Sequence, residues 1–480
     1  MNKLDLPASD AIVVGSGPNG LAAAIRLAQA GRSVVVLEGA STAGGGVRSA
    51  EVTLPGFVHD ICSSVYPMAV CSPFLSTLPL EEHGLEWIYS PAALAHPFDD
   101  GSPAILYKAV DKTAANLGVD GGHYRRLLRN LVPRAKDLLA DLLRPLRPPR
   151  HPFLMASFGL KAIQPAYTLA QHVFQTQRAR GLFAGVAAHS MLPLERLSTS
   201  AAALTLAIVG HAVGWPIVRG GAQQLTDALV SHLRSLGGQL LTNCSVQSLD
   251  QLPPSRPVLL DVTPRQFLNM LGQPTDQDSR RNSHYARRLE RYRYGPAAYK
   301  VDWALSRPVP WKDADCSMAV TVHLGATLEE IAESERLPEQ GKVSSRPFVL
   351  FAQPSLFDSM RAPAGKHTAW GYCHVPNSFT GDITAVIERQ VERFAPGFCD
   401  SILGRSVMKP ADLEHHNPNL IGGDIAGGAM DLVQFFVRPT TKFYRTSLRN
   451  VYLCSSSTPP GPGVHGMCGF WAAETALRYS

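Results

Sequence analysis

The chain has 480 residues, 45% of them apolar and 18% charged, with a formal net charge of +6. That length holds two or three domains or one large composite fold, and so mild a basicity falls far short of a nucleic-acid-binding surface, which removes nucleic acid as a partner. The eight cysteines are scattered without a Cys-x-x-Cys, which argues against a zinc cage or a redox pair and for reduced thiols in a cytoplasmic protein holding no metal.

The opening "MNKLDLPASD" has no basic-then-apolar signal pattern. "DAIVVGSGPNGLAAAIRLAQAGRSVVVLEGA" follows. It predicts a strand over 11–14, a glycine turn, an alanine-rich helix over 21–30 and a second strand over 33–37 that ends at Glu38. The turn Gly15-Ser16-Gly17-Pro18-Asn19-Gly20 matches G-x-G-x-x-G. Strand, turn, helix, second strand and terminal acid all fall where a Rossmann-like dinucleotide fold needs them. Gly17 lets backbone approach a pyrophosphate, and the helix N-terminus offers it free N–H groups. Glu38 accepts from an adenosine ribose and repels a 2′-phosphate, which disfavours NADP. Next comes Gly44-Gly45-Gly46-Val47-Arg48-Ser49, a glycine turn followed by a guanidinium suited to a phosphate. No second G-x-G-x-x-G follows a strand, so a tightly bound FAD that meets its substrate directly is the simpler reading.

Residues 125–150 hold eight basic residues against Asp137 and Asp141, with leucines interleaved. They read as a solvated helix face or as a basic amphipathic element resting on anionic lipid. The longest apolar run, residues 201–218, is broken by His211, Gly214 and Pro216 and is too interrupted to span a membrane. "GQLLTNCSVQSL" and "RPVLLDVTP" predict two more strands. "YGPAAYKVDWAL" predicts another, with Lys300 among apolar neighbours, where lysine is rarely buried without cause. His323 falls at a strand end and is a candidate for lining a substrate cavity. It reads equally well as a satisfied structural histidine, as do His59 and His465. Near the end, "STPPGPGVHGMCG" is a turn between a strand, "NVYLCSS", and a last helix.

Taken together, the N-terminal block through "GFVHDICSSVYP", "GWPIVRGGAQQLTDALVSHLRSLGG", "YGPAAYKVDWALSRPVPW" and "HHNPNLIGGDIAGGAMDLVQFFVRP" resemble the bacterial-type phytoene desaturase group of FAD-dependent oxidoreductases, within the flavin amine oxidase-like superfamily. The resemblance implies an α/β fold with a discontinuous Rossmann-like FAD-binding domain (1–98, 205–265 and 415–480) and an inserted α+β substrate domain (99–204 and 266–414). It implies that Val246 makes a backbone contact to the adenosine. Ser455, Ser456, Gly463, Val464, His465 and Gly466 form the flavin half of the cofactor site, with serines where many relatives carry an acid. Lys300 and His465 become catalytic candidates, Lys300 reaching toward flavin N5 through water. Tyr66, Gly220, Gly221 and His323 become substrate contacts. The expected activity is hydride transfer from an apolar, isoprenoid or polyene-like molecule to the flavin, giving desaturation or isomerisation, with oxygen or a quinone as reoxidant. Amine oxidation and non-redox lipid carriage are the alternatives.

Overall fold

The computed structural model describes residues 3–253, 256–271 and 279–479. Its first layer is a five-stranded, all-parallel sheet in the order Val451–Leu453, Val258–Leu260, Ala11–Val14, Val34–Leu37, Gln239–Leu241. Every residue of the two N-terminal strands is buried, as unbroken apolar runs are when helices cover both faces. Side chains alternate between those faces. Val13, Val36 and Leu259 pack under the helices Pro18–Gln29, Gln223–Ser235 and Met467–Tyr479. Ile12, Val14, Val35 and Leu37 pack on Phe267 and Met270 of the helix Pro264–Met270 and on Tyr285 and Leu289 of the helix Ser279–Glu290.

A seven-stranded sheet forms the second layer, in the order Ile402–Met408, Ala297–Leu305, His367–Val375, Val349–Ala352, Ala319–Leu324, Ala92–Pro97, Pro103–Tyr107. All its neighbours are antiparallel except Ala92–Pro97 with Ala319–Leu324. One face closes on Phe394, Phe398 and the helix Thr384–Phe394. The other face meets a helical cap that includes the helices Pro152–Ala162, Gln177–Ala187 and Thr199–Ala212.

Two segments sit on the opposite side of the domain edges expected from the sequence. Residues 92–97 pair into the second sheet, because their partners are 319–322 and 103–107. The two helices within 264–290 cover the first sheet, because their apolar side chains complete its lower face. Another expectation is shortened. The strand in "GQLLTNCSVQSL" stops at Leu241, since Asn243 turns to φ +53° and the Asn243 and Cys244 N–H groups hook onto the Ala40 and Glu38 carbonyls. The apolar run at 201–218 becomes the buried helix Thr199–Ala212, and among the described residues no helix is long and apolar enough to cross a membrane.

A buried cation ties the layers together. Arg361, fully buried, donates to Asp60 Oδ1 (2.9 Å), Asp358 Oδ2 (2.8 Å) and the Val218 carbonyl (2.9 Å). The Asp60 carboxyl stays ionised below its usual range: burial pushes it up, but the Arg361 charge and the Ser64 and Ala222 donors outweigh burial.

Candidate functional site

A cavity of about 720 Å³ runs between the layers, from the first glycine turn to the inner face of the second sheet. At its nucleotide end, Gly15, Gly17, Pro18, Asn19 and Glu38 line one wall. The chain passes straight from strand to helix there, and Pro18 occupies the first turn of a helix capped by Gly17, a position where its missing N–H costs nothing. Gly20 itself is packed behind the turn. A Cβ on it would sit 2.1 Å from the Gly15 carbonyl oxygen. Glu38 Oε2 accepts from Ser16 N (2.9 Å) and Ser16 Oγ (2.5 Å), and Oε1 accepts from Ala40 N (2.9 Å). Its carboxylate is therefore fixed in place at the strand end.

The second glycine turn contributes Gly45, Gly46, Val47 and Arg48 to the wall. Gly44 lies behind it, its N–H on Ser16 Oγ (3.3 Å). Arg48 donates to the Gly45 and His416 carbonyls (2.9 and 3.2 Å), which aims it along the cavity edge. Val246 lines the far side, with Cys244 and Ser245.

From the C-terminal turn, Ser455, Ser456, Gly463 and Val464 reach the cavity. Ser455 Oγ donates to the Val262 carbonyl (2.8 Å), and Ser457 Oγ to that of Gly427 (2.7 Å). These hydroxyls stitch the last strand to its neighbours. The helix Met467–Tyr479 begins beside the first helix, and a Cβ on Gly469 would meet the Asn19 carbonyl oxygen at 1.8 Å. The two chain ends thus cross beside the cavity: the first helix opens on it at Pro18 and Asn19, where its positive dipole end favours an anionic ligand, while the last helix starts behind the wall made by Gly463 and Val464.

His465 does not reach the cavity. Its ring is buried in the turn, where Nδ1 accepts from Met467 N (3.0 Å) and its carbonyl accepts from Ser72 Oγ (2.6 Å). Burial pushes its pKa down to about 4, against carbonyls of Pro462 and Gly461 that raise it, so the imidazole is a neutral cap on the last helix. Gly466 is likewise behind the wall, against Ala22 and Leu75.

Asp261, which the sequence reading passed over, lies under the first turn. Its Oδ2 accepts from Gly20 N (3.0 Å), and a Cβ on Gly17 would meet the same oxygen at 2.7 Å. Burial first, and then the Glu38 charge, push its carboxyl up to about 7. It stands at the end of Val258–Leu260, the strand paired with Val451–Leu453. A buried acid thus stands at the end of the strand next to the one that leads into the serine run.

The substrate end is built from side chains. Lys300 and Asp302 alternate on one face of Ala297–Leu305 and stand opposite Tyr372 and Trp370 of the neighbouring strand. Lys300 Nζ lies 2.5 Å from both Asp302 carboxylate oxygens and 5.5 Å from the Trp370 ring centroid. His59 Nδ1 approaches Asp302 Oδ1 from the other side at 3.5 Å, and His59 Nε2 meets Thr53 Oγ1 at 2.8 Å. Lys300, Asp302 and His59 are all buried. Around Lys300 the wall comprises Tyr66, Met68, Leu206, Trp215, Leu350, Trp370 and Tyr372, and the Trp370 and Tyr372 rings lie nearly parallel (9°). Tyr66 keeps its hydroxyl on the Ser63 carbonyl (2.8 Å), which presents the ring rather than the oxygen.

His323 stands one layer behind this wall. Its Nε2 is 3.1 Å from Nε2 of His189, which does line the cavity. Burial, then the neighbouring His189 and His96, drive the His323 pKa well below its ordinary value, and burial takes His189 to about 3. Both are neutral. Gly220 and Gly221 also sit away from the cavity: Gly220 N donates to Asp358 (2.7 Å), and Gly221 packs on Ser49 and Asp60. They belong to the polar cluster around Arg361, which needs backbone within reach of buried carboxylates. Missed residues at this end include Trp370 and Tyr372, whose period-two spacing in "TAWGYCHV" was the available signal.

The pattern of an NAD(P)-binding Rossmann-like domain matches residues 13–71. Over 98% of the chain and 94% of the relative, the sequence is 26% identical to "Pyridine nucleotide-disulfide oxidoreductase domain-containing protein 2" of Mus musculus. It is also 26% identical to a phytoene dehydrogenase of Streptomyces griseus, over 95% of this chain and 92% of that one. Among solved structures, putrescine oxidase with bound putrescine superposes with a TM-score of 0.62 at 18% identity, covering 98% of both chains. A fatty acid isomerase from P. acnes, described as producing CLA, superposes at 0.55 with 13% identity, again over 98% of each. The fold is one shared with putrescine oxidase and cyclohexylamine oxidase, and it includes a Rossmann-like dinucleotide-binding domain.

Proposed function

We propose that the chain holds FAD along this cavity and oxidises or isomerises an apolar, isoprenoid or polyene-like molecule at the end lined by Trp370 and Tyr372. The observation that carries the substrate class is the distribution of acids. Among the described residues that line the cavity, the carboxylates are Glu38 and Asp261, both at the nucleotide end. The Lys300 end offers apolar and aromatic surface, neutral histidine and a lysine already paired with Asp302. A diamine of the kind seen in putrescine oxidase would find no anion there, whereas a neutral hydrocarbon loses little on entering.

The residues fit the cofactor. Both glycine turns and the first helix N-terminus line the end where a pyrophosphate would lie, Glu38 would take the ribose, and Gly463 and Val464 would bring backbone to the flavin. FAD would supply the hydride acceptor, with oxygen or a quinone taking the electrons onward. Apolar walls exclude water from the reacting carbon. Lys300 holds a proton at Nζ, and Asp302 fixes that proton's place while keeping the pair neutral in an apolar chamber.

The test is purification, an absorbance spectrum and mass spectrometry of what co-purifies, followed by anaerobic titration with polyenes and with diamines. A yellow protein bleached by a polyene or isoprenoid and untouched by putrescine is expected. Bleaching by diamines alone would overturn the substrate class, and a colourless protein that FAD does not reconstitute would overturn the whole reading.

A further inference from the structure

The helix Pro152–Ala162 turns an apolar stripe to solvent. Leu154, Phe158 and Ala162 are its buried face. Phe153, Ala156, Leu160 and Ile163 recur at i, i+3, i+7 and i+10 and are exposed, Phe153 to 89% and Leu160 to 73%. That spacing puts them on one side of the helix. The stripe does not end with the helix. Leu146, 62% exposed, stands in the Arg144–Arg150 loop before it, and Leu197, 53% exposed, is brought alongside by the Ser198 N–H bond to the Ile163 carbonyl. A soluble surface seldom shows so many large apolar side chains together.

Charge singles out what would cover the stripe. Residues 121–163 hold nine Lys and Arg (125, 126, 129, 134, 136, 144, 147, 150 and 161) against Asp137 and Asp141, a net of +7. The whole chain is +6, so everything else sums to −1. Both acids are already engaged: Asp137 by Arg134, and Asp141 by Arg144 and the Arg150 and His151 N–H groups. Arg126, Arg129, Lys136 and Arg150 stay exposed. Apolar side chains flanked by unneutralised cations complement one kind of surface, acyl chains beneath anionic headgroups. A second copy of the same face would bring +7 against +7, a repulsion that apolar contact would have to overcome.

We propose that residues 146–163, with Leu197, are a docking face for an anionic lipid bilayer, on which the protein lies peripherally. Phe153 and Leu160 enter the acyl boundary, and Arg129, Arg150 and Lys161 sit at headgroup level.

Co-sedimentation of the full chain with vesicles of equimolar phosphatidylcholine and phosphatidylglycerol tests it, with pure phosphatidylcholine as the second arm. Binding to the anionic vesicles that weakens with added salt is expected. Phe153→Ser/Leu160→Ser should weaken it by roughly tenfold or more, and Arg129→Gln/Arg150→Gln should weaken it and remove most of the salt dependence. All four side chains are exposed, and an unchanged melting curve confirms the fold. Wild-type protein that stays in the supernatant with anionic vesicles, or a serine variant that pellets like wild type, would overturn the proposal. So would a concentration-dependent dimer by light scattering that the serine variant abolishes while vesicles are ignored. None of these readings depends on flavin content or turnover.

Discussion

The nucleotide end and the substrate end of the cavity are made of different materials. At the first, the wall is backbone brought to the cavity by two glycine turns and the start of the first helix, backed by Glu38 and Asp261. At the second, the working groups are side chains on a sheet: Lys300 and Asp302 on one strand, Trp370 and Tyr372 on the next. Backbone can wrap many dinucleotides in one way, whereas side chains standing on a rigid sheet can be exchanged without moving it. The difference teaches where each change should be felt: at the substrate end in stability and turnover, at the nucleotide end in cofactor affinity.

The largest effect expected is at the substrate end. Asp302→Ala leaves the Lys300 ammonium buried without its carboxylate, and losing one partner of a buried pair costs about 3 kcal/mol or more. Denaturant unfolding should show that loss while FAD affinity, measured by flavin fluorescence, stays put. The double variant Lys300→Met/Asp302→Leu should be more stable than Asp302→Ala, since an apolar pair of similar size needs no compensation. A single variant as stable as wild type would show that the pair is not buried in solution.

Next in size is Gly17→Ala. Its methyl group would stand 2.7 Å from Asp261 Oδ2 and at the cavity wall, so it both displaces that carboxylate and crowds the pyrophosphate. FAD affinity should fall roughly a hundredfold, the equivalent of about 2.7 kcal/mol, with the unfolding of the second sheet unchanged. Equal losses in both measurements would mean that the two ends are not separable.

The same contrast explains what could be read from the sequence. The first glycine turn, its helix, Glu38 and Arg48 were legible, because a nucleotide loop is contiguous in sequence and its spacing is set by backbone geometry. Lys300 was legible as a lysine in an apolar strand. Its partners were not: Asp302 looks like any polar residue in a strand, and His59, some 240 residues earlier, meets it only through tertiary packing. His465 shows the opposite failure. A histidine beside a glycine turn near a cofactor suggests chemistry, yet its ring is spent on the Met467 N–H. Gly220 and Gly221 likewise look like a ligand loop, but the carboxylates they approach, Asp358 and Asp60, come from distant segments. Asp261 escaped notice for a related reason. Nothing in "LLDVTP" says that the strand ends beneath the turn of residues 15–20, which only the parallel register Val14 to Leu260 establishes.

Asp261 also yields the smallest and most specific effect, one of pH. Its carboxyl is raised from 3.8 to about 7, so the folded protein holds a proton that the unfolded chain releases. The site is unpenalised below about pH 4, loses stability as pH rises from there to about 7, and is level above. Gly20 N–H and the first helix's positive end favour the charged form, but burial and Glu38 outweigh them. A pyrophosphate bound at the same turn adds negative charge and disfavours ionisation further, so binding above pH 7 takes up a proton. FAD affinity should therefore fall as pH rises past 7, approaching about tenfold per unit. Asp261→Asn keeps the acceptor for Gly20 N–H and removes the charge. It should bind FAD more tightly than wild type at pH 8, match it near pH 5, and show a flat profile between. A wild-type profile already flat from pH 6 to 9 would mean that Asp261 carries no charge the cofactor can sense, and that the nucleotide end relies on its backbone alone.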